Sequence, residues 1–76
     1  MDAQSSDAGL ATAARCNLGY CLFQRAKAAA GEHSDQALPL FLSASSAYRA
    51  ALDVSPGESS AARGLEITRQ WIKKLK

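Results

Sequence analysis

One histidine, one tryptophan, one methionine and two prolines are spread over 76 residues, and their scarcity narrows the chemistry. His33 has no cysteine or second histidine near it, whereas a zinc site needs three or four ligands. No G-x-G-x-x-G, phosphate-loop or H-E-x-x-H pattern occurs, and no nucleophile motif surrounds a serine. The seven acids are scattered, with no pair on one helical face suited to shared proton transfer. The expectation is a chain with no metal, no cofactor and no catalysis.

Cys16 and Cys21 are five residues apart, which on a helix turns the thiols about 140° from one another. A disulfide or shared metal between them is therefore disfavoured, and both read as small buried hydrophobes. No apolar run reaches the ~18 residues of a membrane span. The opening MDAQSSDAG has neither the basic start nor the apolar middle of a signal peptide, so a cytoplasmic setting is expected. The net charge is +2, with the basic excess in Arg69, Lys73, Lys74 and Lys76. Cations in a last helical turn complement the helix dipole. A nucleic-acid surface would need a broader basic stripe with aromatics interleaved.

Hydrophobic residues make up 47% of the chain, and 16 of them are alanine. Alanine removes little apolar surface from water but favours helix over every other residue. One domain of closely packed helices with a thin core follows. Residues 1–8 read as a flexible terminus, with Ser6 or Asp7 capping the helix behind it. The first helix is expected over about 10–30, with an apolar face of Ala11, Ala14, Leu18, Cys21, Leu22, Ala28 and Ala29. Gly19 lies inside it, where glycine commonly admits a close neighbour, and Gly31 reads as a left-handed end. Glu32–Asp35 is expected to be a polar loop. The second helix covers about 36–54, either opened by Pro39 or begun by a turn near Ser34 or Asp35. Its stripe is Leu38, Phe41, Ala44, Tyr48, Ala51 and Leu52.

The clearest local signal is the corner Ser55-Pro56-Gly57-Glu58. It reads as a capping box, with the serine hydroxyl on the Glu58 amide and the proline at the first helical position. A third helix then runs over about 56–75, with Ala61, Leu65, Thr68, Ile72 and Leu75 on one face and Ile67 and Trp71 beside it.

Two pieces of this pattern resemble the tetratricopeptide repeat. The first is Leu18-Gly19 followed by Leu22, and the second is Ala44, Tyr48, Ala51 and Pro56. Arg15 stands where the family has an aromatic, and Glu66 where it has a small residue. Gly19 and Ala44 are 25 positions apart, roughly double the family's interval, so both helices should be about two turns longer than standard. The resemblance implies an all-α fold: an antiparallel helical hairpin with a third helix packed across it. It also implies a protein–protein interaction or scaffold module that takes a protein or peptide partner. By position, the binding face would carry Cys16, Tyr20 and Phe23 from the first helix and Arg63, Ile67 and Gln70 from the third. Tyr20 and Phe23 serve equally as cover for the long helix or as a self-association surface. The length and the basic end also resemble microtubule-interacting-and-trafficking domains, which bind short motifs beside their third helix. A self-assembling helical unit built on Phe23 and Trp71 is the structural alternative.

Overall fold

The computed structural model describes residues 3–32 and 34–75. They form three helices, α1 (Ala3–Glu32), α2 (Ser34–Val54) and α3 (Ser59–Leu75), and no strand is found among them. The fold is all-α, a helical hairpin with a third helix. Thr12 pairs with Ser55 and Phe23 with Phe41, so α1 and α2 run antiparallel. Phe41 meets Trp71 and Tyr48 meets Gly64, so α2 and α3 are antiparallel as well. Helices α1 and α3 are therefore parallel, side by side on α2, and touch each other little. The molecule is 47 Å long and 16 by 13 Å across, close to the ~45 Å of a 30-residue helix alone.

Several boundaries differ from expectation. The described part of α1 begins at Ala3, so residues 3–8 are helical and Ser6 and Asp7 lie inside the helix rather than capping it. Gly31 is helical, and no described glycine has a positive φ. The expected Glu32–Asp35 loop is absorbed by the two helix ends, apart from His33, which lies outside the described residues. Pro39 falls in the second turn of α2. There it removes the bond that a residue-39 amide would give the Asp35 carbonyl and sets its ring against that carbonyl.

The corner is a turn before it is a helix. The Glu58 amide donates to the Ser55 carbonyl at 3.0 Å, with Pro56 and Gly57 between. Without a positive φ this is a type I turn, in which proline at the second position is favoured. The Ser55 hydroxyl is 2.7 Å from that of Thr12 on α1, so it does not cap α3. The first bond of α3 runs from the Ala62 amide to the Glu58 carbonyl at 3.2 Å, which makes Glu58 the flanking residue and moves the start to Ser59.

Helix α2 is the spine, burying Ala37, Phe41, Ala44, Ala47, Tyr48 and Ala51. Its two large side chains divide the core. Phe41 packs with Ala26, Ala37 and the flanking Phe23 and Trp71. Tyr48 packs with Ala51, Ala61 and the flanking Cys16, Leu52 and Leu65. In the first cluster Phe41 stacks on Trp71 (5.3 Å between centroids, 17°). Phe23 meets both rings edge-on, at 5.7 and 6.4 Å. Three aromatics from three helices thus pack together in one cluster. The buried Thr68 satisfies its hydroxyl by donating to the Gly64 carbonyl at 2.7 Å, so its burial leaves no unpaired group.

The packed face of α1 is only partly the expected one: Ala29 packs against the first cluster, and Ala11 and Leu22 are half-buried. Thr12, Gly19 and Ala26 are buried, and Cys16, Phe23 and Ala30 pack against the two clusters. These six step by 4, 3, 4, 3 and 4, a single helical face. Leu18 is 55% exposed, and Ala14, Cys21 and Ala28 are exposed too.

Candidate functional site

Because α1 and α3 are held apart on α2, a groove runs between them. One cavity of about 260 Å³ is lined by Tyr20 and Phe23 of α1, Tyr48 of α2, and Ser60, Arg63, Gly64 and Ile67 of α3. A second, of about 440 Å³, is lined by Gly9, Thr12, Ala13, Cys16, Asn17, Tyr20, Tyr48, Glu58 and Ser60. The two share Tyr20, Tyr48 and Ser60, so they are successive stretches of one groove with Tyr48 as its floor.

Two glycines set the depth of that floor. A β-carbon at Gly19 would lie 3.0 Å from Cε1 of Tyr48, and one at Gly64 would lie 2.5 Å from the same atom. The Tyr48 ring fills the place of both absent side chains. With any larger residue at those positions the ring would have to move, and the groove with it.

Five of the six residues singled out for a partner surface line this groove: Cys16, Tyr20, Phe23, Arg63 and Ile67. Gln70 does not. It lines a separate cavity of about 530 Å³ with Leu42, Ser45, Glu66, Arg69, Ile72 and Lys73. Tyr20 is 57% and Ile67 39% exposed, so both form the rim. Phe23 is half-buried and divides its ring between the groove and the aromatic cluster, with the Lys27 ammonium 5.4 Å from its centroid. Sequence reasoning missed Tyr48, Gly64 and Glu58. Tyr48 reads as core from its stripe, yet it is also the floor. The signal available was the pair of interior glycines, one on each flanking helix.

Burial pushes the Cys16 thiol above its ordinary value, and the Glu58 carboxylate pushes it further. A thiol raised in this way is a poor nucleophile at neutral pH. Burial likewise raises Tyr48, with smaller contributions from Cys16, Tyr20 and Cys21. Both cysteines are free, Cys16 half-buried and Cys21 exposed, the latter against the expectation of two buried hydrophobes. Among the described residues, no three His, Cys, Asp or Glu side chains gather where they could hold a metal ion. No described helix is long and apolar enough to cross a membrane.

Comparison of the chain with protein-family models, with curated proteins and with solved structures finds no match.

Proposed function

We propose that this protein is a non-catalytic binding module of the tetratricopeptide kind, with the α1–α3 groove as the surface that takes a protein or peptide segment. The observation that carries this reading is the groove itself. It has an aromatic floor at Tyr48 and exposed apolar rims at Tyr20 and Ile67, and it lies between two helices that hardly touch. Tyrosine is enriched at the energetic centres of interfaces because it supplies large contact area and one polar tip.

The test is selection from a displayed random-peptide library on the folded protein, followed by binding measurements with Tyr20→Ala. Enriched peptides that lose more than ~1 kcal/mol of affinity to Tyr20→Ala, with unchanged helical circular dichroism, support the reading. Loss of helicity in Tyr20→Ala would make that residue core and remove the surface.

A second reading is favoured by a different observation. Leu10 and Leu18 on the outer side of α1 are 69% and 55% exposed, which suits self-association. Sedimentation across a concentration range decides it, and a strict monomer ends that reading.

A further inference from the structure

The two ends of the groove differ in charge, and the difference selects an occupant. Glu58 is the one acidic side chain lining either groove cavity, and it is only half-exposed, so solvent screens it less than a free surface carboxylate. The rings of Tyr20 and Tyr48 line the same cavity, and aromatic faces attract cations. At the other end Gly64 and Ile67 sit beside Arg63, which repels a second cation. A basic group therefore has one favourable seat, and a large apolar group has the other.

The spacing follows from α1. Cys16, beside Glu58, and Phe23, at the apolar end, are seven residues apart, about 10.5 Å along the helix axis. Three residues of an extended polyproline-type segment advance ~9.3 Å and return the side chain to the same side. From Gly9 to Phe23 the lined length is about 21 Å, room for roughly six extended residues.

Resting on the binding-module reading above, we infer that the groove takes an extended peptide carrying a basic residue three positions from a large apolar one. The basic side chain seats against Glu58 beside Tyr20, and the apolar side chain lies between Phe23 and Ile67. Glu58 disfavours both an acidic peptide and a nucleic-acid backbone at the same place.

The experiment uses the full chain and fluorescein-labelled, capped peptides of Gly, Ala and Pro bearing one Arg and one Leu, at spacings of one to five positions and in both orders. Binding is followed by anisotropy. The tightest binding is expected at a spacing of three. Glu58→Gln is expected to weaken that peptide about three- to fivefold, the scale of a partly exposed ion pair, with unchanged circular dichroism. Glu58→Arg paired with the Arg-to-Glu peptide is expected to recover the loss, which keeps the test valid should either variant alone perturb the corner. Equal affinity for Arg and Glu peptides, or no loss in Glu58→Gln, overturns the inference. If that happens while Tyr20→Ala still weakens binding of library-selected peptides, the binding-module reading stands without this specificity. If a second copy fills the groove instead, sedimentation shows a dimer that the peptide does not dissociate, and the inference fails.

Discussion

The ring of Tyr48 occupies the place of a side chain at Gly64. A β-carbon built there lies 2.5 Å from Cε1 and 2.9 Å from Cε2, whereas at Gly19 the nearest ring atoms are 3.0 Å away. The contacts at Gly64 cannot be met without moving the ring, while those at Gly19 need a shift of a few tenths of an ångström. Alanine also gains about 1 kcal/mol over glycine in a helix interior. Gly64→Ala should therefore lose up to about 2 kcal/mol net, the scale of overpacking less the propensity gain, and Gly19→Ala should be neutral or slightly stabilising. Urea midpoints measure both. In a Tyr48→Leu background, which removes the ring, the Gly64→Ala penalty should vanish. Equal effects of the two alanines would contradict the asymmetry.

The three helices are legible in the sequence because each is marked locally, and the corner is legible as a turn but not as the capping box its residues suggest. The α2 stripe of Phe41, Ala44, Tyr48 and Ala51 is legible too, since large and small residues alternate at helical steps. The face of α1 is legible only in part. With alanine on every side of that helix, hydrophobicity points to Leu18 and Cys21. The packed side is instead fixed by what fits against α2 and the corner: Gly19 against Tyr48, Ala26 against Phe41 and Thr12 against Ser55. Residues Cys16, Tyr20, Phe23, Arg63 and Ile67 were singled out through a resemblance alone, and they do line the groove. The floor was not, because a residue that is both packed and accessible looks like core in a stripe.

That difference can be measured on α1 and α2 together. Leu18→Ala alters an exposed side chain and should change stability by no more than about 0.5 kcal/mol. Phe41→Ala empties a fully buried site that touches Phe23 and Trp71, and should cost about 3–5 kcal/mol. For 76 residues the whole stability is on the order of 4–11 kcal/mol, so this one change should remove a large share of it. Urea midpoints followed by helical circular dichroism measure the loss. A large loss in Leu18→Ala would return that leucine to the core.

The Thr12–Ser55 bond joins the first half of α1 to the corner across 43 residues of chain. Its worth should be about 0.5–1.5 kcal/mol. A double-mutant cycle of Thr12→Val and Ser55→Ala should return a coupling energy in that range. The alternative, a serine that caps α3, predicts that Ser55→Ala costs the same whether residue 12 is threonine or valine.

Alkaline pH should destabilise the protein through the two raised groups. The Cys16 thiol ordinarily releases its proton near 9.0 and holds it to higher pH when folded, and Tyr48 does the same from 10.0. In each case the folded state binds the proton more tightly than the unfolded chain. The stabilisation is thus complete below the ordinary value and is lost as pH rises through the folded one. Stability attributable to these groups should be level up to about pH 9.0 and fall beyond it, more steeply above 10.0 as Tyr48 joins. Cys16→Ser should flatten the first part of the fall and Tyr48→Phe the second, as read from urea midpoints in a pH series. A Tyr48→Phe protein with the wild-type slope above pH 10.0 would show that the buried phenol is not what the alkaline transition reports.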